Sequence, residues 1–172
     1  MIRFARRAAA LAALVAAPVL AAGPAFAADA RVAVEKSTAA VADRAGYETQ
    51  VVALTNAARA EYGCPALRID QRLISSARAH SADMVQAGYF DHAGSDGSDF
   101  VTREIRAGYP RRGPSAENIA WGYRTPRDVV TAWMHSPGHR ANILNCESVA
   151  VGVGVAYTGG GSPYWTQDFG RI

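Results

Sequence analysis

Residues Thr131 to Asn145 read TAWMHSPGHRANILN. The stretch holds two of the chain's four histidines, His135 and His139, one of its three tryptophans, Trp133, and a Ser-Pro-Gly break between them. A helix is expected to enter it from upstream. Thr125 is a good N-cap, Pro126 suits the first helical position, and Asp128 completes a Thr-x-x-Asp box. Val129 and Trp133 are four apart and so share the face that packs. The helix should end near His135. Ser136-Pro137 then caps and opens a short second turn carrying His139, Arg140 and Asn142. A histidine at an element edge either bonds locally or lines a cleft, and this stretch alone leaves both readings of His139 open.

Working outward, 172 residues are enough for one domain with a flank. Residues 1–27 read as a secretory signal: Arg3, Arg6 and Arg7 precede an apolar run from Leu11 to Ala22, and Ala25-Phe26-Ala27 is an A-x-A cleavage site. The run is too short and too Ala-rich for a membrane span. Three of the 18 Lys and Arg fall in this leader, leaving 15 against 15 Asp and Glu. The expected mature chain is therefore neutral, and the pI near 9.1 gives no support for nucleic-acid binding. Two cysteines remain, Cys64 and Cys146. In an exported chain an even pair reads as a bridge, with two buried thiols as the other reading. A bridge would close a loop of about 80 residues, worth roughly 4–5 kcal/mol in the chain-entropy model.

Residues 28–46, Ala-rich and charged, read as a linker, and the domain should span 47–172. A helix is expected over Gln50–Tyr62, stopped by Gly63. A second runs from its cap Asp70 to Ala87, ended by Gly88. Leu73, Ala77, His80 and Met84 form the apolar stripe of that second helix, so His80 reads as a buried, hydrogen-bonded core histidine rather than a ligand. Tyr89–Ser98 is a loop carrying His92. Asp91, Asp96 and Asp99 do not have the spacing of a twelve-residue calcium loop. A short helix follows over Asp99–Ala107. In Ser115–Gly122 the pair Glu117-Asn118 precedes an apolar and aromatic run, so Glu117 should be partly buried and partnered. Ser148–Tyr157 is a strand with a β-branched face and a bare face, which lets another element approach closely. A glycine hairpin leads to a returning strand, Tyr164–Phe169, with Trp165, Gln167 and Phe169 on one face.

His92, Glu117 and His139 thus come from three separate segments, each in a loop or at an edge. Two imidazoles and a carboxylate can hold zinc, can form a base held by an acid, or can fix a ligand.

Six ordered motifs carry a resemblance: ARAHSADM (77–84), YFDH (89–92), AENIAWG (116–122), WMHSPGHRANIL (133–144), GVGV (152–155) and YWTQDFG (164–170). Together they resemble the CAP superfamily, the SCP-like proteins that include cysteine-rich secretory, antigen 5 and pathogenesis-related group 1 members, and look closest to the short bacterial secreted type. The resemblance implies an α+β fold, a three-layer α-β-α sandwich around a small, mainly antiparallel sheet. It also implies a cavity of two histidines and two acids. His92, Glu117 and His139 match three of these positions. The fourth, three residues after the helix tryptophan and a glutamate in many relatives, is Ser136 here, with His135 beside it.

Three functional readings follow. The first is a non-enzymatic secreted binding module for a lipid or sterol-like ligand, a cell-envelope component or an extracellular protein, using His92, Glu117, Ser136 and His139. The second is a metal-dependent hydrolase in which His92 and His139 hold zinc or another divalent ion, with Glu117 as third ligand or base. The third is a purely structural cluster. No H-E-x-x-H helix, nucleophile elbow or phosphate-cradling glycine motif is present, which favours binding over catalysis.

Overall fold

The computed structural model describes residues 24–172, with side-chain surroundings from Asp43 onward. Most of the leader expected at 1–27 lies outside the described residues. The chain divides into two units, the second spanning Ala39–Ile172. The site lies in that second unit.

Helix α1 is Pro24–Glu61. The helix expected over Gln50–Tyr62 is its C-terminal part; the same run takes in the Ala-rich stretch 28–46, as alanine's high helix propensity allows. Gly63, at φ 76°, then turns the chain out. Strand β1 is only Arg68–Ile69. Helix α2, Gln71–Ala87, is capped as read: Asp70 accepts from Arg72 N, and Gly88 closes it in the left-handed region at φ 70°. Helix α3 is Phe100–Arg106, capped by Asp99. Strand β2, Pro114–Trp121, carries the Glu-Asn pair. Helix α4, Pro126–His135, has its cap from Thr125 to Asp128 N, and α5, Pro137–Ile143, follows the break. Ser136 occupies the N-cap position of α5, but its hydroxyl makes no capping bond. Strands β3, Ala150–Tyr157, and β4, Pro163–Gly170, form the hairpin.

The sheet order is β1-β3-β4-β2, with β1 parallel to β3 and the other pairings antiparallel. Alternation assigns its two faces. On one, Val151, Val153, Val155, Trp165 and Phe169 pack with Val51 of α1, Val129 and Trp133 of α4 and Ile143 of α5. On the other, Gly152 and Gly154 leave room for α2. A Cβ at Gly152 would lie 2.1 Å from the Leu73 carbonyl carbon, and one at Gly154 would lie 2.3 Å from Arg78 N. The bare face is therefore the seat of α2. Helices on both sides of the sheet give the expected three layers.

Cys64 and Cys146 are bridged. Beside the bridge, Arg59 is fully buried. Its guanidinium donates to four carbonyls, those of Pro65, Ile143, Asn145 and Ser148, at 2.7–3.0 Å. It thereby ties α1 to the C-terminal end of α5 and the entry to β3.

Candidate functional site

The site is assembled where the loop after α2, helix α3 and strand β2 meet. Glu117 is 5% exposed. Its Oε1 lies 2.7 Å from His92 Nδ1, and its Oε2 accepts from Arg103 at 2.5 Å. His80 Nε2 stands 4.0 Å from the same Oε2. Burial opposes ionisation of Glu117, but the His92 bond and the Arg103 charge outweigh it and hold the carboxyl below its usual range. The Glu117 bond in turn raises the proton affinity of His92. His92 itself is exposed, so its Nδ1 is held and its Nε2 remains for an outside group.

His139 is half-buried on α5. Burial lowers its proton affinity, and the charge on His92 lowers it further, so the two imidazoles stand within electrostatic reach. Polar stitching fixes α5 against β2. Asn118 Nδ2 donates to the His139 carbonyl at 3.2 Å and to Gln167 Oε1 at 3.1 Å. Asn142 Nδ2 donates to Asn118 Oδ1 at 2.9 Å and to the Glu117 carbonyl at 3.2 Å. Gln167 continues the chain to Thr55 of α1 at 2.9 Å. The asparagines of the AENIAWG and HRANIL motifs are thus positioning groups.

His80 is the core histidine its helical spacing predicts. It is fully buried, bonded through Nε2 to the Asp91 carbonyl at 3.0 Å, and kept neutral by burial. Through that bond it holds the loop that presents His92.

Sequence reasoning missed three residues. Arg103, on α3, supplies the cation for Glu117 and also donates to the carbonyls of His92 and Ser98. Glu104 and Asp168 are fully buried, and none of their four carboxylate oxygens has a hydrogen-bond partner. Burial pushes Glu104 up to about 10, helped by the charges of Asp168 and Glu117. Burial likewise raises Asp168 well above the usual carboxylate range. Glu104 therefore holds its proton at neutral pH and Asp168 is shifted in the same direction, so Arg103 is left to Glu117. One signal for Asp168 was available. Alternation from Trp165, Gln167 and Phe169 puts it on the opposite face, and only the register, which pairs it with Gly152 and Glu117, makes that the face that receives α2.

A cleft of about 510 Å³ opens behind this cluster, lined by Ser76, His80, Asp83, Ser95, Arg103 and Arg106 among others. Among the described residues no three His, Cys, Asp or Glu side chains are grouped to hold a metal ion. His92 is exposed and His139 half-buried, and the nearby carboxylate is already bonded on both oxygens.

Helices on both sides of a four-stranded sheet, with an imidazole–carboxylate pair at its edge, define a mixed α+β domain with a polar cluster on its edge strand. The chain belongs to the CAP family, the cysteine-rich secretory protein family, whose model matches residues 52–169. It is 44% identical over 135 residues to the "uncharacterized protein YkwD" of Bacillus subtilis (strain 168), a match that covers 77% of this chain and 50% of that one. Its fold is similar to that of an extracellular SCP-domain protein of Bacillus anthracis str. Ames, with TM-score 0.69, 31% identity, and coverage of 75% of this chain and 41% of that one. An outer surface protein of Borrelia burgdorferi shares the fold at TM-score 0.63 and 21% identity, over 70% of this chain and 88% of that one. This chain spans about half the length of YkwD, so it matches one part of that protein.

Proposed function

We propose that this chain is an extracellular binding module that recognises an envelope component or lipid-like ligand at the edge where His92 and His139 meet solvent. The observation that carries this reading is the double commitment of Glu117. With one oxygen on His92 and the other on Arg103, it positions an imidazole and has no free oxygen to activate water. Ser136 adds no second acid at the position where many relatives carry one. Export is supported by the Cys64–Cys146 bridge and by the extracellular description of the Bacillus anthracis neighbour. The test is co-sedimentation of the chain with purified cell-wall sacculi and with vesicles of extracted lipid. His92→Ala/His139→Ala should reduce the bound fraction at least tenfold. Equal sedimentation of the two proteins would rule out recognition at this edge.

A second reading is favoured by one feature. An imidazole whose Nδ1–H is held by a carboxylate is the usual arrangement behind a metal-bound Nε2. His92 and His139 would then hold a divalent ion such as zinc, with Glu117 orienting His92 rather than ligating; the hydrolase alternative depends on this ion. Zinc titration by calorimetry decides it. Micromolar binding lost in the double variant supports the metal, and heats equal to the variant's baseline discard it.

A further inference from the structure

A row of exposed rings adjoins the site. Phe90 is 46% exposed and Trp121 56%, with Tyr164 half-buried between them. The ring centroids are 6.2 Å apart with planes at 67° from Phe90 to Tyr164, and 6.0 Å apart with planes at 41° from Trp121 to Tyr164, so the row is angled rather than flat. Trp121 and Tyr164 are register partners across β2 and β4, so the sheet holds both. The Gly122 N–H to Pro163 carbonyl bond closes the strand end behind them. Phe90 lies two residues before His92. Along β2, alternation puts Glu117 and Trp121 on the same face, four residues or roughly 13 Å apart. The ring row therefore continues from the imidazole–carboxylate edge.

Exposed large rings forfeit burial energy, so a contiguous row of them on a rigid edge calls for a partner. Its composition selects one. Half-exposed, the three rings offer on the order of 100 Å² each, well below the ~800 Å² per partner of a stable protein interface. Among the described residues the exposed large aliphatics Ile69, Val149 and Ile172, on which an acyl chain would pack, lie at the opposite end of the strands from the rings. Aromatic faces carry a negative quadrupole, which attracts the weakly positive C–H groups on the flat face of a pyranose. We infer that Phe90, Tyr164 and Trp121 form an angled, twisted platform of ring contacts for a neutral polysaccharide chain that leads to the His92 edge. The inference rests on the binding reading above and names its ligand class.

The molecule contains its own reporter. Of three tryptophans, Trp133 and Trp165 are buried and Trp121 is exposed. The full chain is titrated with hexamers of β-1,4-linked N-acetylglucosamine, β-1,4-linked glucose and α-1,4-linked glucose, followed by tryptophan emission and by calorimetry. At least one hexamer should give a saturable emission change. Trp121→Ala and Phe90→Ala should each weaken its calorimetric Kd at least tenfold, and Tyr164→Phe, which keeps the ring, should change it less than twofold. No response to any hexamer overturns the platform. So does an emission shift seen only with phosphatidylglycerol vesicles, which would make the row a lipid contact. Hexamer binding that survives Trp121→Ala but is lost in His92→Ala/His139→Ala also overturns it, while sustaining recognition at the histidine edge. Binding lost in Trp121→Ala and intact in the histidine variant supports the platform and removes the histidine edge instead.

Discussion

Glu117 carries the local electrostatics of the site. It is held on one side by an exposed imidazole and on the other by a guanidinium whose side chain is 9% exposed. Replacing it with Gln keeps the shape and removes the charge. Arg103 is then left buried without an anion, which costs about 3 kcal/mol or more. His92 loses the bond that raises its proton affinity. Glu117→Gln should therefore lower the midpoint of chemical denaturation, and should move the His92 titration midpoint downward in NMR. An unchanged His92 midpoint would show that the 2.7 Å pair does not govern it. At this scale His92, Glu117 and His139 were legible because each sits at an element edge or before an apolar run. Arg103 and Glu104 were not, because adjacent charged residues on a short helix read as a solvated face until β2 and α2 cover it.

Two elements owe their placement to what single side chains are or lack. Helix α2 sits against β3 because Gly152 and Gly154 have no Cβ. Gly152→Ala would drive a methyl to 2.1 Å from the Leu73 backbone. Backbone cannot yield as a flexible side chain does, so the helix must lift, at roughly 3 kcal/mol or more. A thermal melt should show that loss, and a variant melting with the wild type would mean that α2 stands further off. The bare face was visible in the sequence; the helix that covers it was not named by local pattern. Arg59 is the converse case. A charged residue in mid-helix reads as solvent-facing, yet this one is enclosed by carbonyls from three segments. Among the described residues its charge has no carboxylate partner, and it rests on the carbonyl-rich end of α5. Arg59→Met leaves those carbonyls buried without donors, each costing roughly 1–3 kcal/mol. We expect a cooperative loss of stability of about 3 kcal/mol or more in urea, with the disulfide intact; a midpoint equal to wild type would contradict the clamp.

For the molecule as a whole, the buried acids set the pH response. Glu104 titrates near 10 in the fold and near its ordinary value when unfolded. Between those values the native state holds a proton that the unfolded state has released, so stability falls as pH rises. Asp168 acts in the same direction. His92, also raised, loses its contribution as pH passes through its folded value. His80 and His139 are lowered and act oppositely, but only where the unfolded imidazole takes up a proton, near pH 6.5 and below. From about pH 7 to 9 the lowered histidines are neutral in both states, and the buried acids act in the same direction as His92. Unfolding free energy should fall there by roughly 1 kcal/mol per pH unit or more. Calorimetric melts at about pH 7, 8 and 9 check this. A flat or rising series would mean that the two carboxyls are ionised in the fold.

Helices α2, α3 and α4, the β3–β4 hairpin, the cysteine pair and three of the polar residues at the site were legible in the sequence. These follow from local rules: caps, apolar spacing, alternation and compartment. The sequence also pointed through its motifs to the α-β-α layers. Tertiary structure alone decided the sheet order, the two-residue strand β1 and the strand character of 114–121. It also decided the burial of Arg59, Glu104 and Asp168 and the alignment of Phe90, Tyr164 and Trp121 into one row. The reason is common to all of them. Each depends on pairing between segments distant in sequence, and a residue's own neighbours carry no record of which remote strand or helix will cover it.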